Sequence, residues 1–324
     1  LYYRDITIIK LNLHMNFTLA LISLGISTLI LIISQSFFIR KNITDKINLR
    51  SSHNTLATRS GGIAIFSTLF LISIYYYVRG IEIYDYSLLI PLILLLAIGF
   101  YDDVYNIDFK LKFVFQIIAA KIIIDNGLII DNFHGVIGIY EINRIIAQLF
   151  TIFIIVAIIN AINFIDGIDG LAISACVLFI IFFEFAAYAE SSFLILSIIT
   201  TSSIIPLYYF NFRKEKKIFL GDSGSLYLGG VVSIYVLHIL SHDYIIKPDY
   251  DIHKILFVIS ILLYPITDII RIVFQRIVKG KSPFKADNNH IHHKIYRLTK
   301  SHSITTFSII VTTIIFVIFI QILF

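Results

Sequence analysis

Charge is scarce in this chain of 324 residues: Asp, Glu, Lys and Arg make up 15% of it, against about 25% in an ordinary soluble domain. Hydrophobic residues make up 58%, so too little polar surface remains to coat a soluble core. A soluble globular enzyme and a disordered chain are both excluded. Cysteine occurs once, as Cys176, which excludes an internal disulfide and a secreted disulfide scaffold. With 15 Gly and 5 Pro, the chain is neither collagen-like nor low-complexity. Tryptophan is absent, and methionine occurs once, as Met15. What the chain does have is apolar length, at a mean hydropathy of +0.88. It reads as an all-α polytopic membrane protein.

A membrane-crossing helix needs about 20 apolar residues. Ten segments qualify as candidates: 17–38, 62–78, 86–101, 109–124, 145–159, 171–189, 192–210, 223–240, 254–278 and 303–324. Residues 1–16 are read as an N-terminal extension beginning upstream of the native start, and 17–324 as a single integral membrane domain. When the loops alternate sides, 19 of the 26 Lys and Arg residues fall on one side. Basic residues collect in cytoplasmic loops, so that side is cytoplasmic and both chain ends lie outside. The outer segment 128–142, LIIDNFHGVIGIYEI, carries β-branched residues and glycines. It reads as a short external β-hairpin or an irregular loop.

Acids at membrane depth are expensive and mark function. On the cytoplasmic side they sit in separate motifs: Asp102 and Asp103 in GFYDD, Asp166 and Asp169 in NAINFIDGIDG, Asp222 in FLGDSGS, Asp268 in YPITDIIR, and Asp287 in ADNNHIHH. Adjacent carboxylates such as Asp102 and Asp103 repel unless a cation neutralises them. Mg²⁺ with phosphate oxygens suits such a pair, and a solvated turn is the alternative. Asp166 and Asp169 are three apart and would share a helix face, with Asn163 offering a carbonyl ligand. Asp222 opens a helix, where it either caps the helix or holds Mg²⁺ beside a bound phosphate. His290, His292 and His293 are suited to phosphate, with zinc as a weaker reading because no Cys lies near. Arg50, His53 and Arg59 in NLRSSHNTLATRSGG, with Lys110 and Lys112, match an anionic substrate. The positive-inside tendency explains Lys214, Lys216 and Lys217 without any site. Carboxylates and phosphate-binding groups meeting at one membrane face point to phosphoryl transfer on a lipid. A transporter or channel is the rival class, and it predicts acids near mid-span and repeated halves, neither of which occurs here.

These motifs, in this order, resemble the polyprenyl-phosphate N-acetylhexosamine-1-phosphate transferases (glycosyltransferase family 4). The resemblance runs from about Met15 to His293. The RSSH and HIHH forms are most similar to the branch that initiates O-antigen, capsule or related glycans on undecaprenyl phosphate. The resemblance implies transfer of a sugar 1-phosphate from a UDP-N-acetylhexosamine to undecaprenyl phosphate, with release of UMP. A catalytically inactive homologue is the alternative within the family. It also implies a bacterial inner-membrane setting, Mg²⁺ (or Mn²⁺) as cofactor, membrane lipid and no nucleic acid as partners, and a homodimer. Asn163 and Asp222 match metal-holding positions, with Asp103 close to the metal. Asp102 matches the residue proposed to activate the lipid phosphate. Asp166 and Asp169 match the nucleotide and metal region, and Asp166 is counted among the catalytic acids. Lys110 matches a lysine facing phosphates, and His290, His292 and His293 match the element contacting diphosphate and sugar. Arg50, His53 and Arg59 are carried as substrate-binding. In the first loop Ile47 stands where the family often has Pro, and Ala57-Thr58-Arg59 replaces its TPR run.

Overall fold

The structure is a computed structural model that describes residues 2–45, 57–133, 135–187, 191–240, 245–246, 252–280 and 290–323. Within a bilayer every backbone polar group must be satisfied internally, so the apolar runs become helices. In chain order these are α1 (Tyr2–Arg40), α2 (Gly61–Val78), α3 (Leu89–Tyr105), α4 (Phe109–Asp125), α5 (Arg144–Ile165) and α6 (Leu171–Ala186). They continue with α7 (Leu194–Phe212), α8 (Gly221–Ile239), α9 (Ile252–Ile261), α10 (Leu263–Val278), α11 (Ile291–Thr299) and α12 (His302–Leu323). Two short strands, β1 (Ala57–Thr58) and β2 (Lys217–Ile218), pair in parallel.

The chain is therefore an all-α polytopic membrane protein. Among the described residues, six segments are long and apolar enough to cross a membrane: His14–Arg40, Gly61–Val78, Tyr86–Tyr105, Arg144–Ile165, Leu194–Phe212 and His302–Leu323. A bent pair, α9 and α10, makes a seventh. Helices also stand at the other three expected spans. Of these, α6 has only 16 residues, α4 carries Lys110, Lys112, Lys121 and Asp125, and α8 opens on the polar GDSGS. Residues 2–16 are continuous with the first span in α1.

Several expected boundaries differ, and the fifth span, expected to stop at residue 159, runs on to Ile165 in α5. The third span was expected to stop at residue 101, but α3 runs to Tyr105 and takes Asp102 and Asp103 into its last turn. Asn106, in the left-handed region at φ 52°, ends it there. The ninth span was expected as one helix, but it breaks near Leu262 with a bend of 70°. Pro265 lies in the first turn of α10, where its missing N–H costs little, whereas an unbroken helix would put it in the interior. The outer segment 128–142 makes a single antiparallel bridge, Asn132 to Glu141, in place of paired strands. Gly135 and Gly138, at φ 81° and 75°, close it around the 3-10 turn Val136–Gly138.

Helix α8 is the centre of the bundle: all its residues except Asp222 and His238 are buried. It packs against α2, α3, α5 and α6. Small residues make the approach close. A Cβ on Gly62 would lie 2.2 Å from the Gly224 backbone, one on Gly99 2.4 Å from the Asp222 carbonyl, and one on Gly229 2.7 Å from Ile159 Cα. The outer faces of the helices carry exposed aromatic residues such as Phe17, Phe37, Phe153 and Phe307.

Candidate active site

The bundle end where α3 finishes and α8 starts gathers the motif acids. The parallel pair β1–β2 brings residues 57–58 beside the chain that enters α8, and Phe219 N donates to Thr58 O at 2.8 Å. Gly61 N and Gly62 N then donate to Phe219 O and Leu220 O, each at 3.0 Å. This delivers Arg59 to the acids. Its Nη2 donates to Asp45 Oδ1 at 2.7 Å, and its Nη1 lies 3.5 Å from Asp103 Oδ1. Burial opposes the guanidinium charge, but Asp45, Asp103 and Asp222 outweigh it and hold the Arg59 pKa above its ordinary value.

Asp103 is 2% exposed and is used as a cap. Its Oδ1 accepts from Asp222 N at 2.9 Å and its Oδ2 from Ser223 N at 3.0 Å, the first free N–H groups of α8. Asp102 turns the other way. Its Oδ1 accepts from Ile107 N at 2.8 Å, which closes the α3–α4 turn, and its Oδ2 pairs with Lys112 Nζ at 2.6 Å. The same Nζ lies 3.5 Å from Asp222 Oδ2. Asp222, at 27% exposure, is the most open of these carboxylates. Its Oδ1 accepts from Asn163 Nδ2 at 2.6 Å, and Asn163 Nδ2 also donates to Ser225 Oγ at 2.8 Å. Both amide hydrogens of Asn163 are spent, so its carbonyl oxygen remains as an acceptor.

Asp166 follows the end of α5. Burial, then the Asp222 and Asp103 charges, push its carboxyl well above the usual carboxylate range. Asp169 goes elsewhere. Its carboxylate pairs with Lys217 Nζ and lies 3.5 Å from His302 Nδ1.

The histidines form a second cluster beside this one. Asp268 Oδ2 pairs with His290 Nδ1 at 2.6 Å, while Asp268 Oδ1 accepts from Ile291 N at 2.8 Å and Arg271 Nη2 at 3.0 Å. Tyr264 Oη bonds His292 Nδ1 at 2.9 Å. A Cβ on Gly167 would meet His292 Nε2 at 3.1 Å, so the histidines pack against the turn carrying Asp166. Burial, then His293 and His290, lower the His292 pKa to about 3. Burial and His290 also lower that of His293. Asp268, His290 and His292 offer ligand atoms within 4.8 Å of one another. The Asp268 carboxylate is already committed to three hydrogen bonds, however, which fits a hydrogen-bonded anchor better than a zinc site.

The donor chemistry of the first cluster suits a divalent cation. Asp102, Asp103, Asp166 and Asp222 set four carboxylates against the two cations Arg59 and Lys112. The donors are all oxygen, the set hard cations take. Asp222 and Asn163 present oxygens that are not committed to backbone. Arg50 and His53 lie outside the described residues. Lys110 is exposed, and Lys112 is the lysine that reaches the acids. Lys112 is four residues before Gln116, which is 1% exposed, so the two share the inward face of α4. Sequence reasoning also gave no role to Asp45, Ser225, Lys217 or His302, whose partners are distant in the chain.

The glycosyl transferase family 4 profile matches residues 85–240. A probable undecaprenyl-phosphate N-acetylglucosaminyl 1-phosphate transferase of Bacillus subtilis is 31% identical, covering 82% of this chain and 72% of its own. The undecaprenyl-phosphate alpha-N-acetylglucosaminyl 1-phosphate transferase of Haemophilus influenzae is 32% identical, over 79% and 72%. Its counterpart in Escherichia coli is 29% identical, over 81% and 72%. With this site geometry and this extent of similarity, the chain belongs to glycosyl transferase family 4.

Proposed function

We propose that this protein transfers an N-acetylhexosamine 1-phosphate from a UDP-sugar to undecaprenyl phosphate, releasing UMP and leaving a lipid diphosphate-linked sugar that starts a cell-surface glycan. The observation that carries the reading is the convergence of Asp102, Lys112, Asn163 and Asp222 from four helices, α3, α4, α5 and α8. A phosphate oxygen of the acceptor forms a bond to the sugar-bearing phosphorus. The bond from that phosphorus to the bridging oxygen breaks, and the bridging oxygen leaves with UMP. The acceptor monoester has a second pKa near ~6, so it is already an oxyanion and the main barrier is repulsion between anions. Lys112 and Arg59 lower that repulsion. Asp102, held by Lys112 and Ile107 N, orients the acceptor phosphate and takes any residual proton. Asp222 and the Asn163 carbonyl would hold Mg²⁺ (or Mn²⁺), with Asp103 close behind them. When bound, the ion neutralises phosphate charge and stabilises the leaving UMP.

His290, His292, His293, Arg50, His53 and Arg59 are assigned to substrate, and Lys112 takes the phosphate-facing place that the resemblance gave to Lys110. The apolar runs support ten spans, the family likeness supports a bacterial inner membrane, and the sorting of basic residues supports both chain ends outside and the site on the cytoplasmic face. A homodimer is the assembly this reading carries.

Membranes containing the protein, supplied with undecaprenyl phosphate, Mg²⁺ and a panel of UDP-N-acetylhexosamines, should yield UMP and one lipid-linked sugar by mass spectrometry. No product from any donor would overturn the reading. UMP release without lipid acceptor would replace direct attack by a covalent aspartyl intermediate. Asp222→Asn should abolish turnover in a protein that still folds, and wild-type rates in that variant would remove the metal assignment.

A further inference from the structure

Helices α5 and α8 meet in antiparallel register, and small residues of α8 let them touch turn by turn. Ser233 Oγ lies 3.5 Å from Ile155 O, and one turn on, a Cβ on Gly229 would lie 2.7 Å from Ile159 Cα. One further turn brings Asn163 of α5 against Ser225 of α8, at the end of the bundle where the acids gather. Ser225 is fully buried. Its hydroxyl donates to Asp222 O at 3.4 Å and accepts from Asn163 Nδ2 at 2.8 Å. The other hydrogen of that amide goes to Asp222 Oδ1 at 2.6 Å.

These contacts leave the amide one orientation. Turned over, the Asn163 carbonyl would face the Asp222 carboxylate, oxygen against oxygen, and a hydroxyl whose proton is already used. As it stands, the NH₂ group is spent within the protein and the carbonyl oxygen is left for a ligand. Asp222 does not fix this alone, because a cation would share the same carboxylate. Ser225 is uncharged and enclosed, so its hold on the amide does not compete with an ion.

We propose that Ser225 is a positioning residue: it fixes the amide of Asn163 so that the carbonyl oxygen, and not the NH₂ group, is presented to the divalent cation. This rests on the transferase reading above and on its metal assignment. In this role Ser225 acts through Asn163.

The test is Mn²⁺ binding to the full-length protein in detergent, read without turnover from the loss of the free-ion EPR signal. The component of binding that Asp222→Asn abolishes belongs to the site. For that component Ser225→Ala should weaken Mn²⁺ about 10-fold, the scale of losing a partner that orients a metal ligand. Ser225→Cys fills the same space with a weaker acceptor and should lose in the same direction. Asn163→Ala should lose at least as much as Ser225→Ala. The double variant Asn163→Ala/Ser225→Ala should lose no more than Asn163→Ala, because no amide remains to be oriented. In turnover, Ser225→Ala should need about 10-fold more Mg²⁺ for half its maximal rate, with a smaller loss in kcat.

Mn²⁺ binding unchanged in Ser225→Ala and Ser225→Cys would overturn the proposal. So would a double variant weaker than Asn163→Ala, or a turnover loss that falls wholly in kcat. A wild-type protein that binds Mn²⁺ in the expected pattern but forms no product from any donor overturns the transferase reading alone. A wild-type protein that makes product but binds no more Mn²⁺ than Asp222→Asn overturns the metal assignment, and this proposal with it.

Discussion

The Asp103 carboxylate accepts the backbone N–H of Asp222 at 2.9 Å, so the acid that ends α3 holds the residue that begins α8. A second N–H, from Ser223, reaches its other oxygen. The capping charge comes from a different helix, placed where the positive end of the α8 dipole lies. With its main chain held from behind, Asp222 turns its carboxylate toward Asn163 and Lys112. The function of one acid thus depends on the structural use of another.

Replacing that cap should cost stability as well as rate. In Asp103→Asn one oxygen becomes a nitrogen that cannot accept, and in Asp103→Ala both acceptors go. A lost cap is worth about 1 kcal/mol, so the alanine variant should unfold at a clearly lower temperature than the asparagine variant, and both below wild type. An unchanged midpoint in Asp103→Ala would mean that the two N–H groups have other partners.

The two lysines of α4 should separate cleanly. Lys112→Met removes the only cation shared by Asp102 and Asp222 among the described residues and should lower turnover about 100-fold. Lys110 is exposed, and Lys110→Met should stay within a few-fold of wild type. Equal losses from both, in product formation measured side by side, would restore a direct role for Lys110.

Helix contact at α8 should tolerate no added methyl. A Cβ on Gly62 would lie 2.2 Å from both Cα and N of Gly224, backbone atoms that cannot step aside. Gly62→Ala should destabilise by at least ~1–3 kcal/mol, the usual cost of overpacking. Gly25→Ala, with nothing within 4 Å of its new Cβ, is the control and should unfold like wild type. A Gly62→Ala midpoint equal to that of the control would contradict the close contact.

Acid should destabilise the fold through His292. The ring is fully buried, and its pKa is lowered to about 3 from an ordinary 6.5. Between those values the unfolded chain binds a proton that the folded chain does not, so stability rises with pH there. The contribution is complete above about pH 6.5 and is lost as pH falls toward 3, at ~1.4 kcal/mol per pH unit. His292→Gln removes the titrating group, and its unfolding midpoint should fall less between pH 6.5 and 5 than that of wild type. Parallel curves would show that His292 is not the group responsible.

Much of the site is legible in the chain because it is local. GFYDD, NAINFIDGIDG, FLGDSGS and HIHH each hold their acids or histidines within a few residues, and apolar runs position those motifs at helix ends. What the chain hides is orientation. Three-residue spacing suggests that Asp166 and Asp169 act together, but the helix stops at Ile165 and the two side chains part. Lys110 and Lys112 look equivalent in sequence, yet they lie about 200° apart around α4, so only one of them can face inward. Asp102 and Asp103 look like a matched pair, but one closes the α3–α4 turn beside Lys112 and the other caps α8.

Composition by itself determined that this chain spans a membrane, because 58% hydrophobic residues with 15% charge have no soluble surface to form. It also determined where the scarce acids sit, because a charge in a bilayer protein is retained only at helix ends or against partners. Only the tertiary structure decided which oxygen meets which donor. Asp103 finds Asp222 across 119 residues and Asp169 finds Lys217 across 48. Contacts over such separations depend on how close two helices can approach, and that is set by packing, through glycines such as Gly62, Gly99 and Gly224, and not by any pattern along the chain.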